Sequence, residues 1–264
     1  MGEKNIVDRI DGAVAVCHVL ASVSDKTGLD RLIPGLVEAN PKVMIYSTGG
    51  TFSAIRDILG SQKAAKNLMQ VSDYTGQPET QGGLVKTLDF KIYLGLLTET
   101  YNESHQRDLK RVRGVPIDMV VVNLYPFRQT IAKPGVTPEM ARANIDIGGP
   151  CMVRASAKNF LRVASVTDPA DYDGIVKELK GSGGKVSLAT RFRLAKKAFA
   201  HTAEYDTAIA GYLAGRKMRE VEGCYKIEKE ENREHRADGM APEKDEQSTT
   251  TQCSMGRREE GTHV

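Results

Sequence analysis

The stretch Asn144 to Asn159, NIDIGGPCMVRASAKN, brings an acid, a glycine pair, an arginine and a lysine close together. Ile145 and Ile147 flank Asp146 as the apolar end of a strand would, and Gly148 and Gly149 allow a tight path into a helix marked by Met152, Val153, Ala155 and Ala157. A helix beginning near Pro150 points its free N–H groups back toward Asp146, and Lys158 follows about two turns along it. Local spacing leaves open whether Asp146 and Lys158 share a pocket. Each residue also has an ordinary structural reading: a helix-capping carboxylate for Asp146, a surface ion pair for Arg154, a solvated helix face for Lys158.

Two earlier loops have the composition of phosphate sites. SDKTG offers the hydroxyls of Ser24 and Thr27 with the amine of Lys26, and STGGT offers Ser47, Thr51 and unhindered N–H groups at Gly49 and Gly50. Together they suit a phosphomonoester, and the alternative is a pair of tight turns closing βα units. Neither loop contains GxxxxGK[ST] or GxGxxG, which disfavours a P-loop nucleotidase or a dinucleotide enzyme. Lys86, beside Thr87, would neutralise a phosphate, polarise a carbonyl oxygen, or serve only as an exposed strand lysine. Tyr125 ends a strand-like run, where functional groups gather in parallel sheets, although packing is the commoner use of such a tyrosine.

The elements that must position these residues follow a strand, small-polar loop, helix rhythm. Ala13 to Ser22 is a valine-rich run suited to a strand buried on both faces, and it feeds SDKTG. Leu29 to Ala39 reads as a helix that Pro34 should kink or restart. Val43 to Tyr46 leads into STGGT and a helix over Phe52 to Leu59. A third unit, Asn67 to Val71, ends in SDYTG, and the apolar segment Ile92 to Leu97 comes after a turn-prone run. Asn102 to Arg113 is a charged helix, and Ile117 to Leu124 is the most strand-like segment. Thr137, with a proline after it, caps a short helix to Asn144. Arg162 to Thr167 is a strand and Asp171 to Lys180 a helix. From Ser187 a long amphipathic helix places Leu188, Phe192, Ala195 and Phe199 at helical spacing, to lie across a core or a subunit partner.

Bulk properties narrow the class. The 264 residues are 40% hydrophobic with a net charge of +3, so a buried core is affordable and there is no basic stripe for nucleic acid. Cys17, Cys151, Cys224 and Cys253 lie far apart without CxxC or zinc-ligand spacing, which points to a reducing, cytoplasmic setting and no metal. No signal peptide is evident and no apolar run reaches the ~18 residues of a membrane span. The organisation expected is an N-terminal extension over 1–12, a folded domain over 13–215 and a disordered polar tail over 219–264.

Taken in order, SVSDKTG, STGGT, VSDYTG, GGLVKTL, VVVNLYPF, NIDIGGPCMVRASAKN, VTDPADYD and KAFAHTAEYD resemble the inosine monophosphate (IMP) cyclohydrolase domain of the bifunctional purine-biosynthesis family. The resemblance covers about Ala15 to Leu213, and NLYPF, IDIGG and RASAKN are specific to that family. It implies an α/β fold of the methylglyoxal-synthase-like type, a parallel sheet flanked by helices, with extra C-terminal helices. It also implies closure of the purine ring of 5-formamidoimidazole-4-carboxamide ribonucleotide (FAICAR) to IMP, without cofactor or metal, by a homodimer.

Residue by residue, the resemblance places Ser24, Lys26, Thr27, Ser47, Gly49, Gly50 and Thr51 at the phosphate. Lys86, Tyr125, Asp146 and Lys158 fall around the reacting carboxamide and formyl groups. Asp146 and Lys158 orient the carboxamide and transfer protons, while Lys86 and Tyr125 stabilise or protonate the developing oxygen. Thr87, Asn123, Ile147, Gly148, Gly149 and Arg154 complete the binding set. Leu84 stands where the family usually has Arg, Asp89-Phe90 replaces His-Pro, and Tyr93 replaces a His, so Asp89 is expected to add negative charge near the ligand. With no formyltransferase segment recognisable, a separate formyltransferase would supply the substrate. The rival reading is a noncatalytic module of the same fold binding a phosphorylated metabolite or purine nucleotide. Methylglyoxal synthase itself fits less well, because the match runs past that smaller domain.

Overall fold

The computed structural model describes residues 6–77 and 87–228. The chain divides into Met1–Cys224, which carries every element below, and Tyr225–Val264, of which only 225–228 are described.

The first surprise lies in the valine-rich run, which is two strands. β1 (Ala13–Ala15) and β2 (His18–Val23) are separated by a switch between sheets. The Val16 N–H donates to the Gly184 carbonyl, whereas the N–H groups of Cys17 and His18 both donate to the Asp118 carboxylate, each at 2.9 Å. Hydrogen bonds from two different partners divide a run that composition alone joins.

After β2 come α1 (Leu29–Ala39), β3 (Met44–Ser47), α2 (Gly49–Asn67, broken at Gly60), β4 (Leu68–Gln70) and α3 (Val71–Thr75). α1 runs through Pro34 without interruption, contrary to the expected kink or restart. The apolar segment after the turn-prone run is a helix, α4 (Phe90–Leu97), because the Asp89 carboxylate caps it by accepting from the N–H groups of Lys91 and Ile92. α5 (Glu103–Arg111) is capped by Asn102, and β5 (Met119–Asn123) follows. α6 (Phe127–Ile131) then leads to α7 (Pro138–Ala143), where Thr137 accepts from the Met140 N–H as its sequence predicts.

α8 (Gly148–Lys158) starts at the glycine pair itself, two residues before Pro150, and no strand end precedes it. β6 (Ala164–Val166), a 3-10 turn, α9 (Tyr172–Gly181) and β7 (Lys185–Ser187) complete the body with α10 (Leu188–Ala214), capped by Ser187. α11 (Met218–Glu222) makes the first residues of the expected polar tail helical, and 229–264 lie outside the described residues.

β4, β3, β2, β5 and β6 form, in that order, one parallel sheet. β1 and β7 pair antiparallel in a separate ribbon, Ala13 opposite Ser187. Alternate residues of β2 and β5 feed two cores. Val19, Ala21, Met119 and Val121 face α1, α2 and α9, while Leu20, Val120 and Val122 face α4, α8 and α10. Burial of α10 follows Arg191, Leu194, Ala195, Ala198, Thr202 and Tyr205. The expected Phe192 and Phe199 stand 47% and 40% exposed, so the helix is turned away from the face the phenylalanines suggested.

Strand order reverses between β2 and β5: the chain moves from β2 outward through β3 and β4, then returns to the other side of β2. Loops after β2 and β5 depart toward opposite faces, and such a switch point opens a crevice at the carboxyl ends of the strands.

Candidate functional site

A cleft of about 360 Å³ occupies this crevice. One wall is the loop after β2. Asn123, the last residue of β5, grips that loop by accepting the Asp25 N–H and donating its own amide to the Asp25 carbonyl, each at 2.8 Å. Asp25 turns its carboxylate onto the Thr27 N–H, which lowers its pKa, mainly through hydrogen bonding with Thr27. Lys26 projects into the cleft, its Nζ 3.9 Å from where a Cβ on Gly50 would stand.

The second wall is the start of α2, whose first N–H groups, those of Gly49 and Gly50, have no preceding turn to receive them. Thr51 holds this wall to the first: its hydroxyl accepts the Val23 N–H and donates to the Val23 carbonyl, both at 3.0 Å. Ser47 is fully buried and donates to the Ala21 carbonyl. Four hydrogen-bonding side chains assigned to ligand by sequence thus divide their work. Lys26 is directed at the cleft, while Asn123 and Thr51 both line it and fasten its loops. Ser47 fastens only.

The opposite wall is the entry to α8. Asp146 lines the cleft and also does what its structural reading predicts, accepting the Gly149 N–H at 2.8 Å. Its own N–H donates to the Tyr205 hydroxyl at 2.8 Å. Burial raises the Asp146 pKa, opposed by hydrogen bonds from the backbone of Gly149 and Tyr125. The glycine pair is required by close approach. A Cβ on Gly148 would lie 2.8 Å from the Thr87 hydroxyl, and one on Gly149 would lie 2.6 Å from Asp146 Oδ2 and 2.7 Å from Leu124 Cδ2. Tyr125 and Ile147 reach the same space, 55% and 58% exposed.

Ser24, Thr87 and Asn123 therefore meet Lys26, Gly49, Gly50, Thr51, Tyr125, Asp146, Ile147, Gly148 and Gly149 in one cleft, as the sequence anticipates. Ser47 and Thr27 are not among its lining residues, nor are Arg154 and Lys158. Arg154 is exposed and sits over the Phe199 ring of α10, 5.6 Å from its centroid. Lys158 is exposed in the last turn of α8, about 15 Å along the helix axis from the turn at Asp146. Lys86 and Leu84 lie outside the described residues. Asp89, expected to place negative charge beside the ligand, is spent as the cap of α4 and does not line the cleft. Sequence reasoning passed over Met152, Ile145 and Thr48, which line the cleft, and Tyr205, which holds Asp146. For Tyr205 the signal is its place in KAFAHTAEYD, one of the stretches that carry the family resemblance.

Among the described residues no three or more His, Cys, Asp or Glu side chains are grouped to hold a metal, and no helix is long and apolar enough to cross a membrane.

Comparison with known proteins agrees with this architecture. A model of the MGS-like domain matches residues 29–151, and one described as AICARFT/IMPCHase bienzyme matches 156–252. The bifunctional purine biosynthesis protein PurH of Sorangium cellulosum (strain So ce56) is 51% identical over 197 residues, 75% of this chain and 36% of that protein. PurH of Synechococcus sp. (strain CC9605) is 47% identical over 205 residues, 78% of this chain and 38% of its own length. The chain therefore spans little more than a third of these curated relatives. The crystal structure of ForH is 32% identical with a TM-score of 0.66, covering 76% of this chain and 100% of ForH. With the MGS-like sheet, the bienzyme match that follows it and the likeness to the whole of ForH in hand, the chain belongs to the AICARFT/IMPCHase bienzyme family, the PurH proteins, sharing with them the MGS-like segment and the segment that follows it.

Proposed function

We propose that the chain is an IMP cyclohydrolase, closing FAICAR to IMP in de novo purine biosynthesis. The observation that carries this reading is one cleft with phosphate-type loops on one side and a carboxylate of raised pKa with a phenol on the other. The ribonucleotide phosphate would take the N–H groups of Gly49 and Gly50 and the amine of Lys26. That leaves the base directed at Asp146 and Tyr125.

The reaction is an intramolecular condensation. The carboxamide nitrogen attacks the formyl carbon, a C–N bond forms, and the formyl oxygen becomes the hydroxyl of a carbinolamine. Loss of that hydroxyl as water, together with the proton on the former formamide nitrogen, leaves the C=N bond of the closed ring, and the attacking nitrogen keeps one proton. Proximity supplies much of the acceleration, because both reacting groups belong to one molecule and need only be held in the reactive conformer. Asp146 would take a proton from the carboxamide nitrogen, and Tyr125, with Lys86 and the first N–H of α8, would stabilise or protonate the developing oxygen. Burial that raises the Asp146 pKa brings a weak base closer to the operating pH, which suits proton transfer.

Lys158, at the far end of α8, would join this chemistry only from a second copy of the chain, in the homodimer the family resemblance implies. A module that only bound nucleotide would share the phosphate loops and could use Asp146 as the cap of α8, but it would not need that carboxylate on the cleft wall with Tyr125. Adding purified protein to FAICAR and following the purine absorbance tests the reading. Closure well above the spontaneous rate is expected, and no acceleration by folded protein would overturn it.

A further inference from the structure

Asp146 lies between α7 and α8 and owes its place to two anchors. Gly149 holds its carboxylate from within α8, and Tyr205 holds its backbone from α10. Resting on the cyclohydrolase reading, the geometry points to Tyr205 as a positioning residue that sets the direction of the Asp146 carboxylate in the cleft.

Tyr205 is suited to the task because it is already fixed. It is 8% exposed, and its ring meets Phe127 of α6 edge-on at 6.1 Å. Both rings belong to the core that contains Met152 and Val153 of α8. α10 itself packs along α8 and β6. The rotamer entropy of the tyrosine was therefore lost on folding, and its oxygen is a preset acceptor. Burial holds the phenol neutral by raising its pKa, with the bond from the Asp146 N–H acting in the opposite direction. An N–H in a half-exposed turn can be satisfied by water, so a buried hydroxyl from a distant helix is not needed merely to pair it. What the hydroxyl adds is register: it ties the turn to a rigid helix, whereas water would let it drift. Misplacement of a proton-transfer group by about 1 Å costs on the order of a hundredfold in rate.

Tyr205→Phe keeps the ring and its contact with Phe127 while removing the acceptor. The expected result is a kcat lower by about tenfold, a KM for FAICAR within about twofold of wild type, and an acid limb of the rate profile moved to lower pH as the carboxylate relaxes toward water. Unchanged kcat and pH profile alongside a lowered Tm would assign Tyr205 to packing alone and overturn the proposal. Two measurements need no turnover, so they separate this proposal from the cyclohydrolase reading. One is the titration of the Asp146 carboxyl by carbon NMR in wild type and Tyr205→Phe, where a lower midpoint in the variant supports positioning and an identical one refutes it. The other is hydrogen exchange of the Asp146 amide in the wild-type protein, which must be protected. An unprotected amide would overturn the proposal even if the variant failed to fold.

Discussion

Asn123 joins Asp25 twice, through both the N–H and the carbonyl of its backbone, and so fastens the loop after β2 to the end of β5 across the point where strand order reverses. The clasp explains why an asparagine ends the buried strand: a side-chain amide offers an acceptor and a donor on separate atoms that reach the N–H and the carbonyl of one residue together.

Replacing Asn123 by Ala removes two hydrogen bonds worth roughly 1 kcal/mol each and frees the Lys26 loop. KM for FAICAR, and Kd for IMP by calorimetry, should rise about tenfold, with kcat changing much less. An equal loss in kcat would instead place Asn123 at the reacting base.

Asp146→Asn keeps the shape of the carboxyl and removes its basicity. Turnover should fall by about a hundredfold or more. Because burial raises the carboxyl pKa, and only the ionised form accepts a proton, the wild-type rate should fall as pH drops through a midpoint above the ordinary value of ~3.9. Rate profiles measured from pH 4 upward should show that limb in the wild type and a flat response in Asp146→Asn.

Lys158 and Asp146 stand at opposite ends of α8. If two copies complete each other's sites, Lys158→Ala and Asp146→Asn are each nearly inactive alone. Mixed and allowed to exchange subunits, they should recover about a quarter of wild-type activity, since half the dimers carry one intact site. Full activity of Lys158→Ala alone would remove the lysine from the mechanism.

Asp89→Ala removes the cap of α4. Stability should fall by about 1 kcal/mol in denaturant titration, while affinity for IMP stays within about twofold. Tighter binding of IMP would mean that the carboxylate is felt in the cleft after all.

Arg191 is fully buried and donates to four carbonyls, those of Asp11, Phe160, Leu161 and Val186. Arg191→Met would leave them unsatisfied, and a loss of about 3 kcal/mol or more is expected in chemical denaturation. Arg191→Lys, which cannot reach four acceptors, should recover only part of it.

Features written in neighbouring residues were legible in the sequence. The caps at Thr137 and Ser187, the parallel-type strands and the two loops beside them all follow from local composition. What escaped depends on partners far along the chain. The division of β1 from β2 is made by Asp118, a hundred and one residues from Cys17. The role of Tyr205 depends on Asp146, fifty-nine residues away. The buried face of α10 was misjudged because Phe192 and Phe199 are the larger apolar residues, yet alanines at 195 and 198 allow the close packing that turns the helix. Lys158 was near Asp146 in sequence, and it is the straightness of a helix that carries it away.

The four carbonyls around Arg191 come from three stretches far apart in the chain, at Asp11, at Phe160 and Leu161, and at Val186. β1 pairs with β7, and the Asp11 carbonyl is held by a side chain a hundred and eighty residues later. All five parallel strands lie before residue 185, so a chain cut there would keep the sheet and lose both the partner of β1 and the guanidinium that holds the Asp11 carbonyl.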